Sequence, residues 1–70
     1  MTSFSERLKE LRLKADLSME SLSAETEISY SAIRQWEAKM SEPRASFIIK
    51  LADFFEVTTD YILGRTDLIE

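Results

Sequence analysis

"SMESLSAETEISYSAIRQWE", residues 18–37, divides into two short helical pieces about the turn "TEIS" at 26–29. Ser18 and Ser29 each stand one residue before a helix-forming run, where a hydroxyl can accept a free backbone N–H. The spacing predicts a helix over about 19–26 and another over about 30–38. The first buries Met19 or Leu22 together with Ala24. The second turns Ile33 and Trp36 inward, and Ile28 joins them from the turn. The segment Ser18–Ile28 carries Glu20, Glu25 and Glu27 and no Lys or Arg. The outer face of this helix pair is therefore acidic at one end, and its purpose has to account for that.

Outward from this stretch the chain reads as helix throughout. "SFSE" at 3–6 fits a capping box, with Ser3 as cap and Glu6 reaching back. Phe4, Leu8, Leu11 and Ala15 recur at helical spacing, so helix one runs to about Ala15. "DLS" is a short connection that buries Leu17. After "KMSEP", Pro43 stands where a helix commonly begins. Helix four covers about 44–55, with Ile48, Leu51, Ala52 and Phe55 inward. Thr58 caps a short helix five over about 59–63, and Gly64 ends it in the left-handed conformation. The expected fold is all-α: a five-helix bundle over residues 1–64 with a tail at 65–70.

Composition narrows the chemistry. A chain of 70 residues builds one small domain, and 44% hydrophobic with 31% charged content is globular. There is no Cys and no His, so thiolate or imidazole metal sites and His-based catalysis are excluded. The remaining carboxylates form no obvious cluster. The expectation is a protein that is not an enzyme, with no metal, no cofactor and no small-molecule substrate. No run is long and apolar enough for a membrane, and "MTSFSERLKE" lacks a signal-peptide pattern. A bacterial cytoplasmic location is expected. The net charge of −4 weakens any nucleic-acid reading, because phosphate binding usually shows as a basic surface.

Two short helices joined by a three- or four-residue turn are the helix-turn-helix arrangement, in which the second helix enters the DNA major groove. "RLKELRLKADLS", "IRQWE", "EP" and "FIIKLADFFEVTTDYILGRTD" complete the pattern. Over residues 6–64 the chain resembles the Cro/repressor-type (XRE) helix-turn-helix family. The resemblance implies five helices, frequent dimers and a reading role for helix three. It places Met19, Tyr30, Ser31, Arg34 and Gln35 toward DNA, and Ser29, Lys39 and Arg44 at phosphates. Residue chemistry agrees: Arg and Gln read guanine and adenine edges, and Ser and Tyr donate to phosphate or base. The resemblance also implies an ion pair between Arg12 and Glu37 that locks helix three to helix one.

The chain departs from the family where the charge question is sharpest. Met19 replaces the usual Gln that opens helix two, and Glu27 and Glu56 replace two usual glycines. A non-glycine held left-handed costs about 1 kcal/mol. Phe47, Phe54 and Tyr61 exceed the evident needs of the core, and Leu68 and Ile69 follow them. Phe47 and Phe54 either pack against helix one or five, as at least one of them is expected to do, or help form an apolar surface for self-association or a partner. Two functions follow. One is a small transcriptional regulator of a phage or mobile-element switch that reads duplex operator DNA, as a monomer or as a homodimer. The other is an antirepressor, similar to the modulator-of-repression proteins of temperate phages, whose acidic Glu20 and Glu27 face docks on a partner repressor.

Overall fold

The computed structural model describes residues 2–68. Five helices follow in order: α1 Phe4–Lys14, α2 Met19–Thr26, α3 Tyr30–Glu37, α4 Ala45–Phe55 and α5 Thr59–Ile62. The described residues contain no strand. Side-chain caps set four of the five starts. Ser3 and Glu6 form the reciprocal capping box, with the Ser3 amide donating to Glu6 Oε1 at 3.0 Å. That donation, then the Ser3 hydroxyl and nearby Lys39, hold the Glu6 carboxyl below its ordinary range. Ser18, Ser29 and Thr58 accept the amides of Ser21, Ala32 and Tyr61 at 3.0, 3.1 and 3.0 Å. Helix α4 is the exception. It starts at Ala45, one residue later than expected, because extended Arg44 takes the cap position. Its guanidinium has no acceptor atom and closes no cap bond.

The core draws on every helix. Leu8 and Leu11 come from α1, Leu22 from α2, Ile33 and Trp36 from α3, Leu51 and Ala52 from α4, and Tyr61 and Ile62 from α5. Ile28, in the turn between α2 and α3, is equally buried. Helix α1 packs on α3 and α5, α2 on α3 and α4, and α4 on α5. Two small residues expected inside are outside. Ala15 lies past the last residue of α1 and is exposed. Ala24 is exposed because α2 buries Leu22 and Thr26, one turn apart, and a residue two places on points to the opposite side.

All five helices end in the same way. Asp16, Glu27, Lys39, Glu56 and Gly64 have φ of 61°, 62°, 62°, 58° and 79°. At four of these ends two crossed amide bonds satisfy the last carbonyls, as in Leu17 N–H to Arg12 O at 3.1 Å and Val57 N–H to Ala52 O at 2.9 Å. The α2 end uses one bond, from Glu27 N–H to Ser23 O at 2.8 Å. Only one of the five turns has the residue that adopts this conformation without a Cβ penalty. Glu27→Gly and Glu56→Gly should therefore each raise stability, by about 0.5–1 kcal/mol after the extra chain freedom of glycine is subtracted. Chemical denaturation of each single variant measures this; midpoints at or below that of the parent would contradict it.

Candidate nucleic-acid interface

Helices α2 and α3 are fixed to one another through the turn. The Thr26 hydroxyl donates to Leu22 O at 2.7 Å, and the Ser23 hydroxyl donates to Ile28 O. These bonds hold the turn in which Glu27 is left-handed, and they aim Ile28 into the core shared with Leu22, Ile33 and Trp36.

Arg12 fixes the pair to α1. Its Nε donates to Glu37 Oε2 at 2.7 Å, its Nη2 to Glu37 Oε1 at 3.0 Å and its Nη1 to Leu17 O at 2.9 Å. Both charged side chains are at most a tenth exposed. The fork with Glu37, helped by the Glu37 charge, outweighs burial, which acts the other way, and leaves the Arg12 guanidinium even harder to deprotonate than usual. Leu17 immediately precedes the α2 cap and Glu37 is the last residue of α3. One guanidinium thus positions the start of α2 and the end of α3. The buried Ser5 hydroxyl adds a bond to Glu37 O at 2.8 Å.

The residues expected to face a ligand occupy the outer side of this assembly. Tyr30, Ser31 and Arg34 are exposed on α3, opposite buried Ile33 and Trp36. Exposed Ser29 caps α3, so its oxygen accepts Ala32 N–H while its own proton stays available to a phosphate. Lys39 and Arg44 are exposed on the loop beyond α3. Among the described residues, Arg34, Lys39 and Arg44 form no salt bridge, and neither do Glu20, Glu25 and Glu27. Two expected contacts are less open. Met19 is half-buried and packs against the core, so it presents less apolar surface than its replacement of a polar residue suggests. Gln35 is half-buried too, and its side-chain oxygen accepts the Ser41 hydroxyl at 3.4 Å.

The surplus aromatic residues pack on the core, the outcome expected for at least one of Phe47 and Phe54. Tyr61 is core, 4% exposed. Phe47 is half-buried with its ring 5.4 Å from that of Trp36, and half-buried Phe54 packs edge-on against Phe55 at 5.0 Å. Among the described residues, the large apolar side chains left in solvent are Leu13, Tyr30, Met40, Ile49 and Leu68. Ile69 lies outside the described residues.

Sequence reasoning missed Arg7. It is buried, with its guanidinium 3.9 Å above the Tyr61 ring and Nη2 bonded to Asp67 at 2.9 Å. It ties the chain beyond Gly64 to α1. An Arg beside the apolar stripe of an amphipathic helix reads as a solvated flank, so nothing local singled it out.

A helix pair this short, sharing one core and exposing a polar face from its second helix, defines a helix-turn-helix domain. The chain matches the helix-turn-helix family model HTH_3 over residues 8–62, and it belongs to that family, in its Cro/repressor type. It is 36% identical over 64 residues to an uncharacterised HTH-type transcriptional regulator, YobD, of Bacillus subtilis, covering 91% of this chain and 57% of the relative. It is 33% identical over 66 residues to the HTH-type transcriptional activator BcrR of Enterococcus faecalis, covering 94% of this chain and 32% of that one. Identity is 29% over 66 residues to the HTH-type transcriptional regulator ImmR of Bacillus subtilis, covering 94% and 52%. The chain therefore spans from about a third to a little over half of these relatives' lengths.

Proposed function

We propose that this domain is the DNA-binding unit of a transcriptional regulator in a phage or mobile-element switch, acting in the bacterial cytoplasm, with α3 in the major groove of duplex operator DNA. The observation that carries this reading is the exposed set Tyr30, Ser31 and Arg34, backed by buried Ile33 and Trp36 and flanked by unpaired Lys39 and Arg44. A helix fits the groove, an Arg on its outer face can make a bidentate contact to guanine, and flanking cations fix register on phosphates. The regulators among its relatives support the same role. Two copies on two half-sites would double the weak grip of one acidic domain.

Titration of the purified protein against its own promoter DNA at several salt concentrations tests this. Lys39 and Arg44 at phosphates should give a slope of log affinity against log salt of about −1.8 per domain, about −0.9 for each phosphate contact. Lys39→Ala should weaken all sequences alike and flatten the slope by about one unit, whereas Arg34→Ala should erase about 1–3 kcal/mol of preference at one base pair. If neither substitution changes operator binding, α3 is not the reading element.

The unpaired Glu20, Glu25 and Glu27 favour a second reading, in which this face docks on a basic partner repressor and blocks its DNA binding. Complementary charge speeds such an association. The double variant Glu20→Gln, Glu27→Gln separates the two. Tighter DNA binding supports the regulator, and slower association with the repressor at low salt supports the antirepressor.

A further inference from the structure

The loop between α3 and α4 forms one wall of a cavity of about 410 Å³, and the start of α1, the end of α3, α4 and Leu63 beyond α5 form the others. Left-handed Lys39 turns the chain out of α3, held by its own N–H to Trp36 O at 3.1 Å. Past that reversal the loop is loosely tied. Among the described residues, no hydrogen bond joins residues 41–43 to α1, α4 or α5. The inner walls are apolar: Phe4, Trp36, Ile48 and Leu63. Two exposed charges of opposite sign, Lys39 and Glu42, line the same cavity three positions apart on the loop. Neither forms a salt bridge among the described residues, and Glu6 feels the Lys39 charge only through space.

The volume falls within the roughly 300–1,000 Å³ of small-molecule sites, which pair apolar walls with a few polar groups that orient the ligand. A purely apolar ligand would leave both charges unused, and a simple anion would leave the apolar walls unfilled. One small molecule with an apolar body, a carboxylate and an ammonium matches all three features. We propose that this cavity is an effector site for an apolar α-amino acid, whose side chain packs on Trp36 and Ile48 while its carboxylate pairs with Lys39 and its ammonium with Glu42. The bound carboxylate competes with a DNA phosphate for Lys39, so the amino acid weakens operator binding. That last step rests on the proposed DNA-reading role.

Trp36 is the one Trp of the chain, so its emission reports on the cavity directly. Titrating L-leucine and L-phenylalanine into the full chain should change that emission saturably, with a Kd on the order of 10 mM or tighter. Isohexanoate and isopentylamine, which are leucine without its ammonium and without its carboxylate, should each bind about fivefold more weakly, the upper end for an exposed ion pair. Glu42→Gln should weaken leucine to the level of isohexanoate and leave isohexanoate itself unchanged. Because Glu42 is exposed, thermal unfolding of this variant should match the parent. Saturating leucine should lower affinity for the promoter DNA and flatten the salt slope by about 0.9, and Lys39→Ala should abolish both effects. No saturable change with either amino acid overturns the site, and equal binding of leucine and its two analogues overturns the assignment of an amino acid. Binding of leucine with unchanged operator affinity overturns the effector role. If the protein binds no promoter DNA at all, the DNA-reading role and the effector step fail together, while the Trp36 titration still decides the site.

Discussion

Replacing Glu37 by Ala is expected to destabilise the domain by about 3–5 kcal/mol, the range for removing one partner of a buried ion pair. The loss is large because of what remains. Arg12 is 8% exposed, and two of its three hydrogen bonds go to the Glu37 carboxylate. Without that carboxylate the guanidinium keeps only the Leu17 carbonyl and stays charged, away from water. Glu42→Ala is the matched control, since Glu42 is exposed and unpaired among the described residues; it should change stability by less than about 0.5 kcal/mol. The double variant Arg12→Met, Glu37→Leu removes both charges and should recover much of the loss, because apolar replacement of a whole buried pair is often neutral. Urea midpoints of the four proteins decide the matter. Equal midpoints for Glu37→Ala and Glu42→Ala would show that the pair contributes only as a surface contact does.

Gly64→Ala is the second large effect, expected at about 2–4 kcal/mol from the left-handed backbone and the overpacking together. The φ of 79° alone disfavours a side chain, and a Cβ at this position would lie 1.8 Å from the carbonyl oxygen of Thr2. A backbone oxygen cannot swing aside as a side-chain tip can. The first residues must peel away from α5, and the Ser3–Glu6 capping box that follows directly on Thr2 goes with them. The losses should therefore overlap. Ser3→Ala should cost about 1 kcal/mol in the parent and clearly less on the Gly64→Ala background. Full additivity of the two would mean that the N-terminal segment stays in place and the strain is relieved elsewhere.

The fold was legible where short-range chemistry decides it. Hydroxyl caps at Ser3, Ser18, Ser29 and Thr58 announce four helix starts, and the structure has them all. Apolar periodicity found Leu8, Leu11, Ile33, Trp36 and Leu51, because a helix can hide only one side of itself. What escaped was set by contacts distant in sequence or by backbone geometry. The left-handed ends at Asp16 and Lys39 carry no glycine, so no residue type marks them. Arg7 is buried by Tyr61 and Asp67, some sixty positions away along the chain. Gln35 is expected on the outer face of α3 from its helical position alone, and its contact with Ser41 depends on a loop reversal that composition does not reveal. The outward face of α3 was readable as a surface. Which of its groups are already occupied was not.

The bond from Arg12 to the last residue of α3 makes that helix a lever hinged at one end. Eight residues of α-helix measure about 12 Å, so a tilt of roughly 5° at Glu37 displaces Tyr30 by about 1 Å. That is a slack at which a recognition contact begins to fail. Substitutions around the hinge, at Arg12 or at Ser5 on α1, never reach the outer face of α3. In the proposed DNA-reading role they would still rewrite which bases Tyr30 and Ser31 can reach, and a genetic screen for altered operator choice would return them alongside changes in the reading helix itself.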